Sequence, residues 1–572
     1  MPIHRSILAR LGLLALVATA ALACGLVVGY AQRRSLAERW LVAELEARGF
    51  APVALRVVEL DFGGLALRDV AIGEAAVPAI AIGALDAAWS PRGLREGWLD
   101  RLSVSGLRLN DVGGLAAIVG GDGDGEPSGP LLLPAPEIEL RDASLSFETA
   151  EGAGSCAFEG RLNAAVGGAI TGEFEIALEH PLARANGSVA LSGTLEQLAA
   201  ELSLALRDAR EPARVAPATL SGRVSGAPAT LAFELALDGA GGALHVEARG
   251  LADVPARSGQ AEIDVAPISF APKGMQPSAL LPALEPLLAK LGIAKVAGSV
   301  EARGTFALEA GEPKLRLDVA VRELGFEAAA LKVAGVSGVV ALFAPRLRTP
   351  KGQLLSVDRV EAGLTLRGGL LDFQLLPDGV IELDSAAFRW AGGELAAANL
   401  KLDASAESTP ATLEARGLDL AELLALAPLE GIEGTGRIDG SLPLVRSGEE
   451  IRVSGGLLRA RPEGGTLRYR PSESASALAA SRPNDLGIAV AAFSNFRYDT
   501  LEARVDGDLR GELRIALRVR GASPDFQGGQ PIELNLALES RLADLVREGV
   551  AVYGVPEVVQ ERLRAFSEKG KK

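Results

Sequence analysis

The chain is poor in the residues that build catalytic sites. Its 572 residues include three histidines and two cysteines. His4, His180 and His245 stand far apart and share no ligand spacing, so they read as surface histidines. Cys24 falls in an apolar run and Cys156 in a glycine-rich stretch, which argues against a bridge between them and leaves the redox compartment open. There is no G-x-S-x-G elbow and no Walker loop. Asp122, Asp124 and Glu126 imitate the start of a calcium loop. Pro127 stands where its invariant glycine belongs, however, and Leu133 where its bidentate glutamate belongs. The run GTGRIDG (Gly434–Gly440) brings its third glycine one residue late for a dinucleotide fingerprint and leads into a strand. These absences leave no argument for an enzyme and imply no metal and no cofactor.

Aromatics make up only 4% of a chain that is 48% hydrophobic, a low share for a compact enzyme core. Basic residues are outnumbered, with a net charge of −15, which argues against nucleic acid because counterion release needs Lys and Arg in excess. The charges are spread rather than blocked, as on a solvated acidic surface.

What the chain has in quantity is alternation. Leu513, Ile515, Leu517 and Val519 point one way while Arg514, Arg518 and Arg520 point the other. After a turn, Ile532, Leu534, Leu536 and Leu538 repeat the pattern against Glu533, Asn535 and Glu539. Period-two alternation makes strands with one apolar and one wet face. Earlier strands follow the same rule: Phe174, Ile176, Leu178; Leu231, Phe233, Leu235; and Leu315, Leu317, Val319. Gly, Pro, Asp or Asn bracket each one. Counting such segments predicts ~35–50 strands, on the order of 170–240 Å of sheet if they form one layer. The apolar residues named here are the candidates for lining a continuous greasy strip.

Leu11 to Tyr30 run for twenty residues without a charge, enough to cross a hydrocarbon core. Leu11, Leu14, Leu16, Leu22, Leu26 and Tyr30 are its candidate anchor residues. Gly25–Tyr30 continue beyond Cys24, which favours an uncleaved anchor over a lipoprotein signal. Arg33 and Arg34 balance Arg5 and Arg10, so charge counting leaves orientation open. The short N-terminal tail makes translocation of the long C-terminal part the simpler topology.

The expected organisation is a tail over 1–10, a transmembrane helix over 11–30 and an amphipathic linker helix over 31–50. β repeats follow over 51–275, then a helix-plus-strand repeat over 276–433, a β region over 434–540 and a helical, basic tail over 541–572. Gly120–Pro130 is a flexible loop by composition. A short motif recurs in Leu67–Ile72, Val104–Leu109 and Leu140–Leu145, starting at residues 67, 104 and 140 and so 37 and 36 residues apart, a period that suggests a stacked array. Leu284, Leu287 and Leu288 precede Gly298–Leu308 just as Leu420, Leu423 and Leu424 precede Gly434–Leu444, an offset of 136 in both parts. Those leucines share one helical face, which can plug the end of a sheet layer or lip a groove.

The runs GTGRIDGSLPL, GGLLRARPEGGTLRY, FSNFRYDTLEARVDGDLRGELRIALRVRGASPDF and PIELNLALES, behind an N-terminal apolar segment, resemble the YdbH family of AsmA-like, TamB-related proteins. The likeness is most specific from about 434 to 540. It implies a mainly β protein anchored in the inner membrane of a diderm envelope, with its bulk in the periplasm. Such a protein would form an elongated, twisted, taco-shaped groove with a few short helices and carry phospholipid to the outer membrane. The chain is shorter than better-known members, which suggests a small outer-membrane partner joined by β-augmentation at the Ile532–Leu538 edge. The rival reading is an anchored scaffold for outer-membrane assembly, its strands closed into dry sandwiches.

Overall fold

The computed structural model describes residues 32–541 apart from 48–49, 75–76, 97, 111–134, 150, 166–167, 195, 228, 310, 329–330, 363, 404–407, 426–430, 448–449, 471–494, 510–511 and 525–528. The segment Leu11–Tyr30, the loop Gly120–Pro130 and the tail beyond Arg541 therefore lie outside the described residues. No described helix is long and apolar enough to cross a membrane. The fold is mainly β, with 28 described strands and a few short helices. That is fewer strands than the pattern suggested because individual strands are long, reaching sixteen residues. The chain divides into two compact units, residues 1–239 with 248–257 and residues 240–247 with 258–572.

The first unit contains β1 (Val53–Leu60), β2 (Gly64–Ile72), β3 (Ile80–Ala88), β4 (Arg101–Leu109), β5 (Glu137–Thr149) and β6 (Gly152–Ala164). It continues with β7 (Ile170–Glu179), β8 (Ala183–Gly193), β9 (Leu198–Asp208), β10 (Ala218–Ala227) and β11 (Thr230–Gly239). Each strand pairs with the next in sequence, and every pair is antiparallel except β4 with β5.

That parallel pair explains the short repeat. Leu102 lies opposite Ile138, Val104 opposite Leu140 and Leu109 opposite Leu145, so the 36-residue spacing is the register itself. The third residue of each copy, Asp69, Gly106 and Asp142, sits at positive φ (54°, 65° and 50°). Asp and Gly tolerate this left-handed geometry better than other residues, and a bulge of this type strengthens local twist. The repeat is thus a recurring left-handed residue within sheet strands, accompanied by a register shift at Asp69 and at Asp142.

Helix α1 (Arg33–Ala47) covers the outer edge of β1. Ala37, Leu41, Val42 and Leu45 pack on a core of Val53, Leu55, Val57, Leu67, Val70 and Ile72. The Glu38 carboxylate accepts from Val57 N at 3.3 Å, Glu46 from Val53 N at 3.4 Å, and Arg33 Nε donates to Leu60 O at 2.8 Å. Side chains of the helix thereby satisfy backbone groups that an edge strand would leave open.

β12 (Leu244–Asp253) has residues in both units. The second unit holds β13 (Ser258–Phe270), β14 (Ala294–Glu309), β15 (Glu312–Glu327), β16 (Lys332–Ala344), β17 (Gln353–Glu361), β18 (Thr365–Leu375), β19 (Ile381–Trp390), β20 (Gly393–Leu402) and β21 (Ser408–Asp419), paired in that order. Then come β22 (Ile432–Thr435), β23 (Arg437–Ser447), β24 (Glu450–Ala460), β25 (Gly465–Tyr469), β26 (Phe496–Asp508), β27 (Glu512–Ala522) and β28 (Pro531–Arg541). Here the order changes. β21 pairs with β23, β23 with β24 and β24 with the second half of β26, whose first half pairs instead with β25, itself paired with β22. β26 continues to β27 and β28.

A corner forms where β26 changes partner, and it is densely packed. Phe496 and Tyr498 are buried there with Leu418, Ile438, Leu458 and Leu467. Helix α5 (Leu420–Ala425) adds Leu420, Leu423 and Leu424 to this core. Its counterparts 136 residues earlier lie near helices α3 (Pro277–Leu280) and α4 (Glu285–Lys290), where Leu287 is exposed. The two copies share a sequence pattern but differ in packing. (Helix α2, Pro91–Glu96, belongs to the first unit.)

Candidate functional site

In the first unit, register turns the alternating apolar residues into rows that run from strand to strand. One row is Leu140, Gly160, Phe174, Val189, Leu202, Gly222, Leu235. A second is Phe158, Ile176, Gly187, Leu204, Leu220, Leu237. Flanking them are Leu162, Gly172, Leu191, Ala200, Val224, Phe233 on one side and Cys156, Leu178, Ala185, Leu206 on the other. Leu231 lies opposite Gly226 in the next row. A one-residue slip in any ladder would break every row, so register decides whether the strip is continuous.

The second unit repeats the construction. Leu317 sits between Gly304 and Leu342, Leu315 between Phe306 and Ala344, and Val319 between Ala302 and Val340. A longer row follows as Ile268, Val300, Val321, Gly338, Leu355, Leu371, Ala386, Ala397.

Exposure separates the candidates into two groups. Phe174, Ile176, Leu178, Leu231, Phe233, Leu235, Leu315, Leu317 and Val319 are all half-buried. So are Ile515, Leu517, Ile532 and Leu534. Leu513 and Val519, in contrast, are 3% and 0% exposed, sealed in the core around Phe496 and Tyr498. Leu536 and Leu538 pair with Leu517 and Ile515 in β28, and their side chains lie outside the described residues. The anchor candidates Leu11, Leu14, Leu16, Leu22, Leu26 and Tyr30 do too.

The glycines within the rows are the part of the site that alternation did not pick out. A Cβ at Gly160 would lie 2.8 Å from Phe174 Cα and would also strike Glu173 O, while the Phe174 ring leans over Gly172, where a Cβ would meet it at 2.9 Å. Gly160 and Gly172 make room for the ring to lie along the sheet. The sequence signal for this was a glycine directly across from an aromatic, visible only once the register is known.

The other face is ionic. Arg141 and Arg161 reach Glu139 at 2.9 and 3.4 Å, and Arg223 reaches Glu201 at 2.6 Å. In the second unit Arg303 pairs with Asp264 at 2.9 Å and Arg518 with Glu533 at 2.8 Å. Hydrogen bonding from Arg141, then the charges of both arginines, holds the Glu139 carboxyl below its ordinary value against the opposing cost of desolvation. Exposed pairs like these contribute little to stability, and their chief effect is to keep this face wet. A concavity of about 770 Å³ over β5 to β9 is lined both by the row residues Leu140, Phe174, Val189 and Leu202 and by the charged Glu139, Arg161, Glu173 and Glu201.

No chemistry of bond-making is assembled by the histidines. His180 accepts from Leu182 N through Nδ1 at 3.2 Å, shares a 2.9 Å hydrogen bond with Thr149 Oγ1 and stacks on Phe147. His245 lies 3.5 Å from Glu247. Burial pushes the Cys156 thiol up, away from the reactive thiolate. Among the described residues no group of His, Cys, Asp and Glu could hold a metal ion.

Compared with known proteins, the chain matches one family model, described as YdbH-like, intermembrane phospholipid transport protein YdbH, over residues 20–257 and 181–564. No curated protein and no solved structure gave a match.

Proposed function

Because the chain belongs to the YdbH-like family of intermembrane phospholipid transport proteins, we propose that it carries phospholipid from the inner to the outer membrane along its apolar rows. The single observation behind this reading is the half-buried state of the large apolar residues in the first unit's rows. A sealed core would bury them, and a solvated sheet would not place Leu, Ile, Val and Phe side by side across so many strands. Two acyl chains kept from water gain ~0.8 kcal/mol per CH₂. A strip without polar anchors supplies that gain evenly along its length, so a lipid slides where a specific pocket would trap it.

On this reading the rows line an elongated, taco-shaped groove, and Leu11–Tyr30 anchor the chain in the inner membrane with its bulk in the periplasm. Among the described residues β28 pairs only with β27, so its outer edge is available for a strand from a small outer-membrane partner. The sealed core around Tyr498 favours a second reading, a scaffold whose strands close on themselves at that end. Mass spectrometry of lipids that co-purify with the full chain separates the two readings. Stoichiometric phospholipid supports transport, and a lipid-free protein supports the scaffold. In transfer assays, Leu517→Asp with Leu536→Asp should abolish transfer while the circular dichroism spectrum is kept. Unfolding by that pair would mean a closed core instead.

A further inference from the structure

Four of the first unit's large exposed apolar side chains lie on α1, on the turn that follows β1 and just after α2. Phe62, in the turn between β1 and β2, is 91% exposed; Trp40 and Leu36 of α1 are 64% and 51% exposed, and Trp98 is 39% exposed. Three hydrogen bonds connect these elements. Arg33 Nε donates to Leu60 O at 2.8 Å, which sets the start of α1 beside the turn that carries Phe62. Trp89 N donates to Gly63 O at 2.9 Å, and Trp98 N to Gly93 O at 2.8 Å, which brings α2 and Trp98 to the same turn.

Helix geometry separates two stripes on α1. Ala37, Leu41 and Leu45, four residues apart, face the core of β1 and β2. Leu36 and Trp40, also four apart, form a second stripe that packs on nothing in that core. A linker helix needs one apolar stripe to dock on its sheet, so the second stripe calls for another apolar phase. Arg34, Arg39, Arg92 and Arg95 are exposed on the same helices.

We propose that this end of the protein is a membrane-docking surface, with Leu36, Trp40, Phe62 and Trp98 seated in the interfacial layer of a bilayer. The occupant follows from the chain itself. α1 begins at Arg33, three residues after the twenty-residue apolar run Leu11–Tyr30, so it starts where the chain would leave a membrane. Tryptophan and phenylalanine suit the headgroup boundary, where one part of a ring is dry and its rim is wet. The exposed arginines complement anionic headgroups. Docking would lay α1 along the bilayer surface and hold the first strand of the apolar strip against the lipid source. The proposal rests on the reading of Leu11–Tyr30 as an anchor and needs no lipid transport to be tested.

The test uses the full chain reconstituted into vesicles of phosphatidylethanolamine and phosphatidylglycerol carrying brominated acyl chains. Three variants each keep one tryptophan, Trp40, Trp98 or Trp390, with the other tryptophans replaced by Phe. Trp390 ends β19 in the second unit and packs against the core that holds Tyr498, so it is the control shielded by protein. Bromolipid should quench Trp40 and Trp98 at least twofold more than Trp390, and Phe62→Asp should weaken the quenching of Trp98. Phe62 makes a safe variant because its side chain is almost wholly exposed. Flotation with the vesicles but equal quenching at all three sites overturns docking alone. Shielding of Trp40 and Trp98 from aqueous acrylamide without bromolipid quenching also overturns it, by showing that protein covers the patch. A chain that fails to float overturns the anchor and this proposal with it.

Discussion

The Tyr498 hydroxyl donates a 2.7 Å hydrogen bond to the carbonyl oxygen of Thr435, 63 residues earlier in the chain. The bond spans the corner where β26 exchanges β24 for β25. It also requires Gly436, at a φ of 134°, because a Cβ there would strike the same hydroxyl. Burial, with the charge of Asp419 as a second cause, pushes the Tyr498 phenol up to about 12. Leu513 and Val519 belong to the same buried cluster as Tyr498, which marks a limit to the half-open strip in this region.

Replacing Tyr498 with Phe leaves the Thr435 carbonyl without this partner inside a packed corner. A loss of roughly 1–3 kcal/mol is expected, read from the urea midpoint of the second unit's transition. In the native protein, spectrophotometric titration should show one phenol that stays protonated until pH about 12. Ordinary titration of every tyrosine near pH ~10 would contradict the buried geometry.

Asp208 gives a pH dependence with a definite sign. Its carboxylate accepts from Arg214 Nε at 2.7 Å and from the backbone of Arg210 and Arg214 at 2.9 and 2.8 Å. The Arg214 hydrogen bond is the largest cause holding this carboxyl far below the ordinary range. Its folded value lies below the unfolded value of ~3.9. The stabilisation is therefore complete above that unfolded value and is lost as pH falls toward the folded one. Asp208→Asn should lower the urea midpoint at pH 7 and do so less at pH 2. An equal effect at both pH values would contradict the assignment.

Gly160→Ala tests the close approach beneath Phe174. The added methyl meets Phe174 Cα and Glu173 O, so destabilisation of ~1–3 kcal/mol is expected. Gly274→Ala meets nothing nearer than Ala271 Cβ at 3.4 Å and serves as the control. Equal tolerance at both positions, measured by thermal melting, would show that the ring does not rest where the geometry puts it.

The α1 edge cap can be read residue by residue. Glu38→Ala removes the acceptor of Val57 N and should speed hydrogen exchange at that amide, with a smaller effect at Val53, which Glu46 holds. Unchanged exchange at Val57 would mean that the helix does not guard this edge.

The alternation made the strands and the two faces legible, because Leu, Ile and Val against Arg and Glu at period two has few other solutions. The short repeat was legible as a repeat, but its meaning was not. That Asp69, Gly106 and Asp142 share a left-handed backbone depends on dihedral angles, and the 36-residue offset became a register only when β4 and β5 met in parallel. The difference between sealed Val519 and half-buried Leu517 was also hidden. The two occupy equivalent places in β27, yet Val519 is a buried member of the core and Leu517 only packs against it partly buried, a difference no local pattern encodes. Likewise, α1 reads as a simple amphipathic helix until its core stripe is fixed and Leu36 and Trp40 are left outside it.

The central claim is that acyl chains lie on the apolar rows and not on the ionic face. A photoreactive phenylalanine analogue placed in turn at Phe174, Phe233 and Leu317 tests it, with Glu175, Glu234 and Arg316 as neighbours on the opposite face. After irradiation in cells, mass spectrometry of the purified protein should find phospholipid adducts at the first three positions and none at the second three. Adducts on both faces alike, or on neither, would contradict the account.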